Sequence, residues 1–183
     1  MASLGHGVEL TPVLSRSACD AIVAATRDSE AWRDAPVYLR EGEPQLIDAV
    51  RRARVLDERD AGADATGAIA SLKRRVETIA GDTTLQAGDA QIVRYDPGGH
   101  FALHQDATAS PREWRRRSAV VYLNDGFRGG ATCFPALGMR VEPRAGHALT
   151  FPPPHAHYAE PVTEGTKLVV VFWLGPHGVS PAG

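Results

Sequence analysis

The sequence predicts an α+β fold, with helices packed on one face of a β-sandwich, and two observations carry that prediction. Up to Gly81 apolar residues recur at helical spacing, most clearly in Ile69, Leu72, Val76 and Ile79. After Gly81 they fall in short alternating or continuous runs separated by Gly and Pro. With 183 residues, 43% of them hydrophobic, the chain can bury one substantial core, which argues for a single domain over residues 1–183. A helical part is expected over about 14–81 and a strand-built core over about 88–175.

In chain order, Val8 to Val13 suits a short edge strand. Ser15 or Ser17 can cap a helix carrying Ala18, Ile22, Val23 and Ala25 and ending near Asp28. A second short helix is expected from about Glu43 to Arg54, with Leu46, Ile47 and Val50 on one stripe. LDERDAGADATG, from Leu56 to Gly67, is acidic with little to bury and reads as a mobile loop. From Ala68 a clear amphipathic helix should run to Gly81, a suitable terminator, and buttress a sheet. Strands are expected at Ala90–Tyr95, Ala119–Leu123, Ala131–Phe134, Met139–Val141, Ala148–Phe151 and Lys167–Leu174, and a frayed tail over Pro176–Gly183.

The formal net charge of −2 provides no general pull toward nucleic acid or an anionic membrane. Cys19 and Cys133 are widely separated and form no CxxC pair, as suits a reducing cytosol. MASLGHGVELTP has neither a positive n-region nor an apolar core, and no apolar run approaches the roughly 18 residues of a membrane span. These features predict a soluble cytoplasmic protein.

The chemistry concentrates in YDPGGHFALHQD, Tyr95 to Asp106. His104 and Asp106 are two apart, so on an extended strand both project from one side, a geometry that suits two ligands of one metal ion. A second histidine would complete a two-His-one-carboxylate facial triad, which leaves adjacent positions of Fe(II) open. FPPPHAHYAEPV offers two candidates, His155 and His157. Three O/N ligands without a thiolate pair suit an open site better than a closed structural zinc, which wants four.

His157 is followed by Pro161 and Val162 at its fourth and fifth positions and by Lys167 at its tenth; upstream stands Gly129-Gly130-Ala131-Thr132-Cys133-Phe134-Pro135. On these residues the chain, from about Leu10 to Gly175, resembles the prolyl 4-hydroxylase-like branch of the Fe(II) and 2-oxoglutarate-dependent dioxygenases. The resemblance implies a double-stranded β-helix, or jelly roll, and selects His157 over His155, so the expected metal ligands and catalytic residues are His104, Asp106 and His157. It implies that Lys167 meets the C5 carboxylate of 2-oxoglutarate, that Tyr95 and Thr132 bond the same cosubstrate, and that Trp173 stands behind them near the iron. The implied cofactors are Fe(II), 2-oxoglutarate and O2, with ascorbate as an auxiliary.

Lys167 begins the strand Lys-Leu-Val-Val-Val-Phe-Trp-Leu, sharing a face with Val169, Val171 and Trp173, while Leu168, Val170, Phe172 and Leu174 take the other. A strand apolar on both faces is covered on both, so one face should line the barrel interior and the other pack under the helices. An ammonium inside needs an anion. His100, His147 and His155 are left outside the site, and Arg112, Arg115, Arg116 and Arg117 read as a solvated charged loop.

The resemblance implies hydroxylation of an unactivated C–H in an amino acid, a peptidyl residue such as proline, or a small natural product, with release of succinate and CO2. Asp106 favours hydroxylation, since halogenating members of the family lack that carboxylate. The rivals are a non-catalytic cupin-like binding module and a nucleic-acid demethylase of the same superfamily. The complete ligand set counts against the first and the slight negative charge against the second. The expected partner is a small-molecule or peptidyl substrate, with no nucleic acid and no membrane.

Overall fold

The computed structural model describes residues 2–37, 44–107 and 114–178. An N-terminal hairpin of β1 (Ala2–Gly5) and β2 (Val8–Pro12) precedes α1 (Arg16–Thr26), and β3 (Arg33–Asp34), β4 (Arg51–Arg52) and β5 (Arg54–Asp57) lead to α2 (Ala63–Ala80). The remainder is built of strands. These are β6 (Leu85–Ala87), β7 (Gln91–Tyr95), β8 (His100–His104), β9 (Arg117–Tyr122), β10 (Arg128–Gly129), β11 (Thr132–Phe134), β12 (Met139–Val141), β13 (His147–Phe151), β14 (His157–Ala159), β15 (Val162–Glu164) and β16 (Lys167–Pro176).

Two antiparallel sheets face each other. The larger has the order β1-β2-β13-β9-β16-β7-β5-β3, with β6 also pairing β16; the smaller runs β12-β11-β14-β8-β4; β10 and β15 form a separate pair. From β7 onward the chain crosses back and forth between the sheets, which makes a double-stranded β-helix. The first layer of core lies between the helices and the larger sheet, where Ile22, Ile69, Leu72 and Val76 meet Ile92, Val170, Phe172 and Leu174. The second lies between the sheets and holds Val93, Tyr122, Phe134, Phe151 and Val169. Strand β16 therefore divides as its alternation predicts, with Phe172 under the helices and Lys167 and Val169 inward.

Ser15 caps α1, its hydroxyl accepting from the Ala18 amide at 3.2 Å, and Gly81 ends α2 in the left-handed conformation at φ 70°. Two expectations fail. No helix occupies the described part of 43–54, residues 44–54: Leu46 is 64% exposed, Val50 closes a turn, and the backbone beyond it pairs with β8 and β7 as β4 and β5. The stripe of Leu46, Ile47 and Val50 stays outside the core, and the chain beyond it satisfies its amides in the ladders with β8 and β7. The acidic stretch 56–67 is not a mobile loop. It completes β5, makes a short 3₁₀ turn at Glu58–Asp60 and opens α2 five residues before Ala68. Leu56, Ala61 and Ala65 are buried there, and Glu58 takes the Ala90 amide at 3.0 Å and pairs with Lys73 at 3.4 Å. Strand β2 is flanked on both sides, by β1 and β13, so it is no edge. Pro176 belongs to β16, and residues 179–183 of the expected frayed tail lie outside the described residues. Among the described residues no helix is long and apolar enough to cross a membrane.

Candidate metal centre

Ligand atoms of His104, Asp106 and His157 all lie within 4.8 Å of one another. The two histidines stand directly opposite in the β14–β8 pairing, and the register shifts just after His157. Their rings are 4.2 Å apart between centroids; Phe101 stacks on His104 at 3.6 Å, and Phe151 meets His157 edge-on at 4.6 Å. Each imidazole is held through Nδ1 by a carbonyl two residues earlier, Ala102 for His104 and His155 for His157, both at 2.9 Å. A carbonyl can only accept, so Nδ1 of each ring carries a proton and Nε2 is the nitrogen placed to face a metal. Burial, followed by the proximity of His157, pushes the His104 pKa down to about 4, which keeps that ring neutral at physiological pH.

Asp106 arrives differently from the expectation. Strand β8 stops at His104, and the carboxylate projects from the bend that follows, because its amide donates to Pro153 at 3.0 Å instead of continuing the ladder. The Ser118 hydroxyl donates to Oδ2 at 2.6 Å, leaving Oδ1 3.6 Å from His104 Nε2. Burial works against the ionised carboxyl, but the neighbouring His157 and His104 and the Ser118 hydrogen bond together hold it below the usual range. Two imidazoles and one carboxylate, without thiolate, suit Fe(II) with positions left open.

In the cavity bounded by these ligands, Tyr95, Thr132 and Lys167 come together. Lys167 pairs with Tyr95 across β16 and β7 and is 2% exposed. Its Nζ donates to the Gly130 carbonyl at 2.6 Å and lies 5.1 Å from the Tyr95 ring centroid and 5.7 Å from that of Tyr122. Among the described residues no carboxylate forms an ion pair with it. Burial pushes its pKa down to about 8. The Gly129-Gly130 pair allows this approach: both have positive φ, and a Cβ on Gly129 would come within 2.3 Å of the Pro161 carbonyl. Thr132 Oγ1 shares a hydrogen bond of 2.9 Å with the Tyr122 hydroxyl. Trp173 lines the same cavity; its indole Nε1 is buried without a partner.

All seven expected site residues thus border one cavity. His155 turns away, its Nε2 2.8 Å from the His6 carbonyl, and His100 and His147 each engage a backbone carbonyl. The arginine segment is only partly the solvated loop expected. Arg115 stacks on Trp173 at 3.8 Å and holds the Asp106 carbonyl at 2.9 Å, Arg117 sits in β9 beside Glu9, and Arg112 lies outside the described residues. Sequence reasoning missed Ser118, Tyr122 and Arg51. Each is remote in the chain from what it touches, and no motif announces it.

Comparison with known proteins agrees with this geometry. Residues 90–175 match the model of the 2OG-Fe(II) oxygenase superfamily. A putative prolyl 4-hydroxylase of Acanthamoeba polyphaga mimivirus is 31% identical over 108 residues, 48% of this chain and 45% of the relative. A PKHD-type hydroxylase of Sphingopyxis alaskensis is 34% identical over 92 residues, 45% of this chain and 42% of the relative. The chain thus spans less than half the length of these relatives. The fold of a Pseudomonas putida prolyl-4-hydroxylase superposes with a TM-score of 0.71 at 22% identity, covering 94% of each chain. The segment matched by the family model carries His104, Asp106, His157 and Lys167, so the strand-built part of the chain is similar to the 2OG-Fe(II) oxygenase superfamily, and the relatives it resembles are prolyl hydroxylases.

Proposed function

We propose that the protein is an Fe(II)- and 2-oxoglutarate-dependent hydroxylase acting on an unactivated C–H of an amino acid, a peptidyl residue such as proline, or a small natural product. The observation that carries this is the coexistence, in one cavity, of a three-residue candidate metal centre and a buried ammonium with no carboxylate partner among the described residues. The chemistry that iron supplies in this family is insertion of one oxygen atom of O2 into a C–H bond, coupled to conversion of 2-oxoglutarate into succinate and CO2.

His104, Asp106 and His157 would hold the metal, with Nδ1–H bonds to Ala102 and His155 and the Ser118 hydroxyl fixing ligand orientation. Lys167 would take the far carboxylate of 2-oxoglutarate, satisfying a charge that the fold otherwise leaves with one carbonyl and two aromatic rings. Tyr95 and Thr132 can add hydroxyl contacts at that end. Val120, Val169 and Val171 line the cavity and exclude water from the reacting centre. The free thiols Cys19 and Cys133 suit the reducing compartment that such a centre needs.

The test is production of succinate from 2-oxoglutarate by the full chain with Fe(II) and O2. Succinate should form slowly without a prime substrate and stop when iron is chelated. Iron-loaded protein that makes no succinate and binds no 2-oxoglutarate would overturn the assignment in favour of a binding module.

A further inference from the structure

We propose that Arg51 anchors a carboxylate of the prime substrate, so that the enzyme acts on a small carboxylic acid, such as a free amino acid, and not on an internal residue of a peptide. This rests on the dioxygenase reading above and names its substrate class. Arg51 lies on β4, the outermost strand of the smaller sheet, directly opposite Phe101 of β8. Its guanidinium stands 4.7 Å above the Phe101 ring, and that ring stacks on the metal ligand His104. Arg51 therefore lines the metal cavity, with one aromatic ring between its charge and the centre.

Its hydrogen bonding is incomplete. Nη1 donates to the Pro36 carbonyl at 3.2 Å and the guanidinium also donates to the Tyr95 hydroxyl, while Nε is buried with no acceptor. Other arginines of the described fold, among them Arg33, Arg94, Arg117 and Arg140, are paired with carboxylates; Arg51 forms no such pair. A buried donor without an acceptor is costly and is retained where a ligand completes it. Trp173 Nε1, on the same cavity, is a second buried donor without an acceptor. Among the described residues the only carboxylate lining the cavity is Asp106, one of the three candidate metal ligands. The walls thus offer donors and await acceptors.

A charge count separates the prime substrate from the cosubstrate. Fe(II) with one carboxylate ligand is a single net positive charge, and Lys167 is another. The 2-oxoglutarate dianion balances these two. Of the described lining residues Arg51 is then left over, and these groups are neutral together only when a further monoanion enters. Arg51 stays partly exposed at a sheet edge, open to an arriving ligand, whereas Lys167 is 2% exposed. An internal peptide residue has amides where this site asks for a carboxylate, and sites built to bond a charged group discriminate strongly against analogues that lack it.

The experiment compares each of the common L-amino acids with its own C-terminal amide. Two signals are read: succinate release by the Fe(II) protein above the substrate-free rate, and the thermal shift of the Mn(II) protein with 2-oxoglutarate bound. At least one acid should give both signals, with its amide weaker by tenfold or more, on the order of what one charged hydrogen bond provides. Arg51→Gln and Arg51→Met should remove that preference by weakening the acid, and Arg51→Lys should restore part of it. The proposal is overturned if amides match acids, if no acid gives a signal, or if the loss in Arg51→Gln falls on 2-oxoglutarate affinity instead. Succinate formed without any added compound tests the dioxygenase reading alone. A wild type that lacks it and binds no 2-oxoglutarate sinks that reading, and the thermal-shift arm still decides whether the cavity prefers acid to amide.

Discussion

Ser118 touches no metal, yet it holds the Asp106 oxygen that would otherwise swing free, at 2.6 Å from a fully buried position on β9. Removing it should leave the ligand set present but loosely oriented, so Ser118→Ala should weaken iron binding about 10- to 100-fold with little change in folding, measured by metal titration. His104→Ala, Asp106→Ala and His157→Ala should each abolish iron retention and succinate formation while circular dichroism stays native. His155→Ala should be mild, because that ring serves the His6 carbonyl. If His155→Ala lost iron and His157→Ala did not, the ligand assignment would be wrong. Lys167→Ala should weaken 2-oxoglutarate binding on the order of a hundredfold, seen as a raised KM for the cosubstrate with iron still bound. The sign of its pH dependence follows from a folded pKa of about 8, below the usual lysine value. The charged form prevails below that pH and is lost above it, so 2-oxoglutarate affinity should fall as pH rises past about 8. Lys167→Arg should flatten the curve, since a guanidinium does not deprotonate in this range. The same lysine disfavours the fold while charged, so its contribution to stability should improve between the folded and unfolded pKa values.

Helix α2 and strand β16 show how elements place the site without touching the metal. Ile69, Leu72 and Val76 fall on one face of α2, all fully buried, and press on the face of β16 that carries Val170 and Phe172. This backing holds β16, whose other face presents Lys167 and Trp173, about 20 Å apart by strand rise. Leu72→Ala should cost about 2–5 kcal/mol in denaturant unfolding, from lost burial plus the cavity left behind. Iron stoichiometry in the folded fraction should be unaffected, because the helix contributes no ligand. Strands β4 and β5 illustrate the opposite relation. Strand β4 is two arginines with little strand propensity of their own, and β5 is held by Val55 and Leu56; pairing with β8 and β7 fixes both and brings Arg51 to the cavity.

Across the whole molecule, the crossing of the chain between two sheets brings together His104, Asp106, His157 and Lys167 from β8, the bend after it, β14 and β16. A site assembled from such separated strands is complete only in the folded state, so its ligands should stabilise that state by mass action. Mn(II) with 2-oxoglutarate at about 100 times its dissociation constant should add about 2.7 kcal/mol and raise Tm, and a chelator should reverse the shift. Lys167→Ala should retain the response to metal and lose most of the response to 2-oxoglutarate. Equal shifts in Lys167→Ala and wild type would place the cosubstrate elsewhere.

The sequence by itself determined most of the order of elements and much of the candidate ligand set. Helical spacing in Ile69 to Ile79 and alternation in Lys167 to Leu174 are local records of which face is buried, and the residues from His157 to Lys167 keep fixed offsets because one short stretch of chain, β14 to the start of β16, spans them. Tertiary structure decided what depends on partners far along the chain. Residues 44–54 carry a helical stripe but form a turn and then the short strands β4 and the start of β5, because β8 and β7 offer open edges, and the acidic stretch before Ala68 is ordered because Leu56, Ala61 and Ala65 find a core. Ser118, Tyr122 and Arg51 acquire their places at the cavity only through such pairings, since a hydrogen bond or stacking contact between distant residues leaves no periodic trace in either segment.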